Sequence, residues 1–404
     1  MDVKPFPLFK LPDVPRSHVL KQLEIHELVT LSMNFRKVRQ FATAFKSHQA
    51  ELTWEFDDFY RVPRMTAGSY IYMYTRPSYT YMSVFLLFPK MKRKKRNVRY
   101  HFRCGRLGST EPIEVVNVDG EWSLPIEEYH KNSDYTILGR KDPKADPRRV
   151  DMKFLEKLSL LFKDIFRVCK YSVQVNQMKD FNLAGSFIWK IPNEFENITI
   201  RDLNISYKTT RFLLEELKVR RLELDVGTTC SRKKPLTLKS PELNISNCNY
   251  ATIEDVMNCS SENLSIEFKS VVNSDQLVEL VNVWINGTKL SGMKAIYLQW
   301  PERKNQSNAT NEFFEKMEGV GEKIPNETNK ITVKRTTDGE VATVEFERDY
   351  FAMTLQKAGD EDDEDDEEDD EDDEDDEDDE DDEDNEDDED EEDDESDEDE
   401  ADED

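Results

Sequence analysis

The sequence predicts an α+β protein that ends in a polyanion. Three observations carry that expectation. Apolar residues recur at three- and four-residue spacing over the first fifty positions, the period changes to two from Leu52 onward, and almost every residue from 360 to 404 is a carboxylate. In that last run 42 of the 45 positions are Asp or Glu, the exceptions being Asn385, Ser396 and Ala401. Removing them from the chain's 88 acids leaves 46 against 55 Lys and Arg. The net charge of -33 over 404 residues therefore describes a mildly basic body joined to a polyanion. That asymmetry bears on partners more than the overall charge does.

The helical opening reads LPDVPRSHVLKQLEIHELVTLSM from Leu11 to Met33. Asp13 is expected to cap a first helix, with Pro15 in its first turn, where a missing N–H costs nothing. Val19, Leu20 and Leu23 share one face of that helix. A second stripe holds Ile25, Leu28, Val29 and Leu31, and Asn34 is expected to cap a third helix carrying Val38, Phe41, Ala42 and Phe45. Helices of about ten residues do not stand alone in water, so they must pack on each other and on something else. Apolar surface left over on such a unit is a partner site.

The order Leu11-Pro12, Val19-Leu20, Leu23, Leu28, Leu31-Ser32-Met33 and Arg36-Lys37-Val38 resembles the F-box, over roughly residues 6–48. Val14 and Pro15 stand where that family usually has an acidic–apolar pair. The resemblance implies a three-helix module that docks on a Skp1-type adaptor and, through it, on a cullin. It nominates Leu11, Pro12, Val19, Leu20, Leu28 and Leu31 as adaptor contacts. The alternative is a helical cap on the next domain with every leucine internal.

From 52 to 140 the alternation predicts a strand-rich segment. Tyr70, Tyr72 and Tyr74 form one such stripe, Tyr79 and Tyr81 a second, and Val98, Tyr100 and Phe102 a third. Aromatics beside basic residues can stack nucleobases, but the same stripe also suits the packed face of a sheet. Between two of these strands lies KMKRKKRNVR, residues 90–99, with Lys92, Arg93, Lys94, Lys95 and Arg96 at its centre. A solvated hairpin loop, a nuclear-import signal and a polyanion contact all fit that cluster. Nucleic-acid binding is the least favoured, because the tethered carboxylates would compete with phosphate for the same lysines.

A Pro- and charge-rich stretch, GRKDPKADPRRV, separates this segment from residues 150–352. The second region starts with an amphipathic helix carrying Phe154, Leu155, Leu158, Leu161, Phe162, Ile165 and Phe166. Then a motif of the form apolar-x-apolar recurs: Leu203-Asn-Ile205, Leu222-Glu-Leu224, Leu243-Asn-Ile245, Leu264-Ser-Ile266 and Ile296-Tyr-Leu298. Helical stripes lie between, the first with Phe212, Leu213 and Leu217. Two more follow, behind expected caps at Thr252 and Ser274. Strand–helix units at this period predict a leucine-rich-repeat-like curl with parallel strands on one face. Asp338-Gly339 predicts a closing hairpin. The runs 243–268, 277–300 and 331–346 resemble the F-box-associated domain (FBA type 2) of the nematode F-box family. That resemblance implies a C-terminal domain that holds a protein substrate.

Catalytic chemistry has no clear carrier in this sequence, so no enzyme activity and no cofactor are expected. The five histidines lack metal-ligand spacing, and Gly105-Arg-Leu-Gly108 is too little for a phosphate loop. The five cysteines are scattered without a CxxC pair, which suits reduced thiols, and Cys248 and Cys259 read as buried ones. No secretory signal and no window of about 18 apolar residues is found, so a cytoplasmic or nuclear location without a membrane partner is expected. Asn197, Asn204, Asn244 and Asn286 then read as ordinary strand and turn residues. The run 360–404 cannot bury apolar surface and is expected to be disordered. It would act as a solubilising tail or as a lure for basic proteins, which supports a second functional class: an acidic chaperone of histone-like partners.

Overall fold

The computed structural model describes residues 10–46, 48–59, 79–87, 97–103, 114–118, 122–129, 134–138, 152–176, 183–228, 234–302 and 309–356. The expected stripe at Tyr70–Tyr74, the cluster Lys92–Arg96, the stretch 139–150 and the run 360–404 lie outside them.

The chain opens with α1 (Asp13–Gln22), α2 (Ile25–Asn34) and α3 (Arg36–Phe45). Two caps differ from expectation. Asp13 is the first helical residue; Pro12, extended at ψ 159, takes the cap position without a side-chain hydrogen bond. Asp13 instead pairs with Arg16 at 3.3 Å. Asn34 ends α2, its Nδ2 donating to the Thr30 carbonyl at 3.0 Å, and Phe35 stands before α3. The start of α2 is fixed by a capping box between Glu24 and Glu27. That device is invisible to a rule that looks for Ser, Thr, Asp or Asn.

Next come β1 (Gln49–Phe59), β2 (Tyr79–Leu87), β3 (Asn97–Arg103), β4 (Glu114–Val118), β5 (Trp122–Tyr129) and β6 (Asp134–Leu138). The amphipathic helix α4 (Met152–Ile165) follows, with Leu155, Leu158, Leu161, Phe162 and Ile165 buried. It leads into β7 (Arg167–Asn176) and, after two 3-10 turns, β8 (Phe195–Ile205). Helix α5 (Tyr207–Arg211) runs on through a π turn, Phe212–Glu216, to β9 (Val219–Thr228). Then come β10 (Glu242–Cys248), α6 (Ile253–Met257), β11 (Asn263–Phe268), α7 (Ser274–Ile285), β12 (Ala295–Gln299) and α8 (Ala309–Lys316). Four strands close the order: β13 (Glu322–Lys323), β14 (Lys330–Lys334), β15 (Val341–Phe346) and β16 (Tyr350–Leu355). Thr252 caps α6 in a box with Asp255, as expected. At α7 the cap is Asn273, one residue before the expected Ser274.

All the described strands join one mixed sheet, in the order β13-β14-β15-β16-β12-β11-β10-β9-β8-β7-β1-β2-β3-β6-β5-β4. Its centre, from β1 through β7 to β12, is parallel throughout. β1 belongs to the same sheet as β7 to β16, and Leu20, Leu28 and Val38 of the opening helices belong to the same core. β1 pairs with β2 on one side and with β7 on the other, so β2–β6 are an insertion between two neighbouring parallel strands.

Register explains how the centre is held. One row of side chains runs Trp54, Val173, Ile198, Leu222, Leu243, Leu264, Ile296, Met353, Val344 and Ile331 across ten strands. A second runs Phe56, Val175, Ile200, Leu224, Ile245, Ile266, Leu298, Phe351 and Phe346. All of these residues are buried, and they share one core with the helices. The motif frame therefore needs one correction: Leu222 pairs with Ile198, whereas Leu203 and Ile205 pair with Val226 and Thr228. β8 is long and bulges at Asp202 (φ 55), so it carries the inward pattern twice and its far end matched the motif.

Gly287 shows how tightly the helix ends are seated. It follows the C-cap Asn286 at φ +64, donates its N–H to the Trp284 carbonyl at 2.9 Å, and faces Thr337 so closely that a Cβ would collide with it. Gly287→Ala is expected to cost about 1–2 kcal/mol. The check is a lower denaturant midpoint at unchanged slope.

Candidate protein-binding face

Strand alternation that turns two apolar rows inward must turn the intervening residues outward. The outward rows read Ser172, Asn197, Arg221, Glu242, Asn263, Ala295 and Thr354, then Gln174, Thr199, Glu223, Asn244, Ser265, Tyr297 and Ala352. Parallel sheets are ordinarily covered on both faces, which is why their strands usually read as unbroken apolar runs. Here the described helices contribute to the core on one face only. Arg201, Arg221, Asn244, Asn263, Glu267 and Gln299 on the other face are exposed.

The left half of this face is a set of cross-strand pairs. Arg201 reaches Glu223 at 2.6 Å, Arg221 reaches Glu242 at 2.6 Å, and the Asn247 amide donates to Asp225 at 2.6 Å. On β7, Lys170 meets Glu51 of β1 at 3.2 Å. Such exposed pairs contribute little to stability, of the order of 0–1 kcal/mol each. Their effect is to set the pattern of charge that a partner meets. Gly227 belongs to the same surface: the Asn204 side chain lies over it, where a Cβ would stand.

A cleft of about 670 Å³ opens at the leading ends of β7 to β10, with Tyr171, Phe195, Leu217 and Pro241 among its lining. Its charges are largely answered from within. Glu215 is bound by Arg211 at 2.5 Å, and that hydrogen bond holds its carboxyl below the usual range. Lys239 donates to the Glu215 carbonyl at 2.7 Å. Cys169, exposed, lies at the cleft, whereas Cys248 and Cys259 are buried and burial pushes the Cys259 thiol up to about 11. Cys104 and Cys230 lie outside the described residues.

The nominated adaptor contacts divide by burial. Leu20 and Leu28 are inside, at 7% and 3% exposure, with Phe41, Ala42 and Ile165 around them. They offer a partner almost no surface. Leu11, Val19 and Leu31 are half-buried and Pro12 is exposed. The largest exposed apolar groups on these helices are instead Val14 (68%) and Phe35 (53%). Arg16 organises the entry: its guanidinium donates to the Leu11 carbonyl at 2.6 Å and lies over the Phe41 ring at 4.5 Å. Sequence reasoning missed Arg16, since an Arg on a helix reads as a solvated residue until its partners are known.

No helix among the described residues is long and apolar enough to cross a membrane. No family model, no curated protein and no solved structure matches this chain.

Proposed function

We propose that this chain is the substrate-recognition subunit of a Skp1–cullin–F-box ubiquitin ligase, with α1–α3 as the adaptor-docking module and the open sheet face as the seat of the target protein. The repeated strand–helix units are read as a short leucine-rich-repeat-like curl. The carrying observation is that face: parallel strands side by side, packed against helices on one side and, among the described residues, largely polar and open on the other, with Arg201, Arg221, Asn244, Asn263, Glu267 and Gln299 exposed. A ligase subunit of this kind does no chemistry. It raises the effective concentration of a target lysine near the charged ubiquitin carrier.

The test is affinity purification of the full chain, scored for a Skp1-type adaptor and a cullin. Leu11→Ala combined with Pro12→Ala should reduce adaptor recovery severalfold while the far-UV spectrum is unchanged. Undiminished recovery would remove the reading. The 42 carboxylates of residues 360–404 favour a second reading, an acidic chaperone of basic proteins. Deleting that run should abolish histone binding and leave adaptor recovery intact. Loss of adaptor recovery on that deletion would count against the ligase.

A further inference from the structure

We propose that the far end of the open face, around Tyr297 and Tyr350, is a subsite for a lysine- or arginine-bearing protein segment. This rests on the reading of that face as the seat of a target and names the chemistry of what is seated.

Tyr297, at 40% exposure, is the large exposed hydrophobic of the outward rows. Its direct cross-strand neighbours are Ser265 on β11 and Ala352 on β16. Both are small side chains, and Ala352 is itself buried. The next position along β12, Gln299, pairs with Glu267 on one side and Tyr350 on the other. Tyr350 and Glu267 are therefore diagonal neighbours of Tyr297 on the same face, within reach of long side chains. Glu345 pairs with Ala352, and Glu347 donates its backbone N–H to the Tyr350 carbonyl at 2.8 Å.

Two tyrosines thus stand among three carboxylates. Burial, with the charges of Glu345 and Glu347 and the neighbouring Tyr297, raises the Tyr350 hydroxyl above its ordinary range, and Lys330 opposes that shift. The nearby cation Lys330 stands opposite Glu345 and is shared with Glu327 at 2.8 Å. The Asn329 amide donates to Glu345 at 3.4 Å and to Glu347 at 3.0 Å. Glu267, Glu327, Glu345 and Glu347 together outnumber that one cation. At the other end of the face the arginines already answer their carboxylates, as Arg201–Glu223 and Arg221–Glu242 show. An excess of carboxylates over cations beside an exposed tyrosine suits an ammonium or a guanidinium, which gains from both. A nucleic acid would meet repulsion at the same place.

The experiment uses the full chain and a labelled dodecapeptide of alternating Lys and Ser, with the alternating Glu–Ser peptide as control. Hydroxyl-radical footprinting separates this face from the polyacidic run. The Lys–Ser peptide should protect Tyr297 and Tyr350, and the Glu–Ser peptide should not. Tyr297→Ala should weaken the protection at Tyr350 about fivefold to tenfold in peptide concentration, whereas Tyr297→Phe, which keeps the ring, should restore it. Peptide binding without protection of either tyrosine would overturn the proposal, as would equal protection by the acidic peptide or by single-stranded oligonucleotide. Adaptor recovery by Tyr297→Ala is expected to match the wild type. The ligase reading therefore fails on that recovery, and this one fails on the footprint.

Discussion

Trp54→Ala is expected to destabilise the fold by about 3–5 kcal/mol, the range for truncating a buried aromatic. Trp54 is 1% exposed and begins the first of the two inward rows. Its indole stacks on Tyr171 of β7 at 5.9 Å with the rings 15° apart. Its Nε1 donates to Ser159 Oγ on α4 at 2.8 Å, and that hydroxyl donates in turn to the Leu155 carbonyl at 2.7 Å. One side chain thus joins β1 to both β7 and α4, across a long insertion. Trp54→Phe keeps most of the apolar area and loses the donor, so about 1–2 kcal/mol is expected for it. Chemical denaturation of the three proteins checks both values. An Ala variant within about 1 kcal/mol of the wild type would mean that β1 is not held by this contact.

The second large effect is expected at Arg335. Its side chain is 3% exposed and lies in the turn between β14 and β15. It donates to Asp338 at 2.7 Å, to Glu340, and to the Ser291 carbonyl at 3.2 Å, and it lies over the Trp284 ring at 5.1 Å. Arg335→Met keeps the stem and removes the charge. Because both carboxylates stay about half exposed, the loss is expected at about 2 kcal/mol, below that of a fully buried pair. Asp338→Asn with Glu340→Gln should cost more, since it leaves a buried guanidinium without an anion. Acid should distinguish the ion pair from packing. The Arg335 hydrogen bond lowers the Asp338 carboxyl. A lowered carboxyl contributes stability above its unfolded value, and the contribution fades as pH falls through the folded one. The gap between wild type and Arg335→Met should therefore be full at neutral pH and narrow in acid, once the pH falls below the ordinary Asp value. An equal gap at both would assign the effect to packing alone.

Much of this was legible locally. The stripe Leu155, Leu158, Leu161, Phe162 and Ile165 gave α4, and the motifs at Leu222, Leu243, Leu264 and Ile296 fall on adjacent strands in one register. Asn197, Asn204 and Asn244 do lie in strands, and Asn286 caps a helix. Two members of the array went unread although they carry the same form: Leu52-Thr-Trp54-Glu-Phe56 in β1 and Val173-Gln-Val175 in β7. Both flank the long insertion between β1 and β7, where spacing no longer marks them. The candidate subsite was hidden differently. Tyr297 is the middle letter of Ile296-Tyr-Leu298, and only its apolar neighbours were counted.

The sequence by itself determined the inward rows on β9 to β12 and the buried stripe of α4, because alternation and helical spacing record burial residue by residue, but it left open whether Leu20 and Leu28 lie inside. It also determined the separation of a basic body from a polyanion, which is a matter of composition. Strand order was decided only by the tertiary structure. Val173 lies beside Trp54 across more than a hundred residues of chain, and no local pattern encodes that pairing. The same holds for the outward rows: Tyr297, Glu267 and Tyr350 become neighbours only once β11, β12 and β16 lie side by side. Charge and shape on a sheet face are properties of adjacent strands, and adjacency is what a linear sequence leaves unstated.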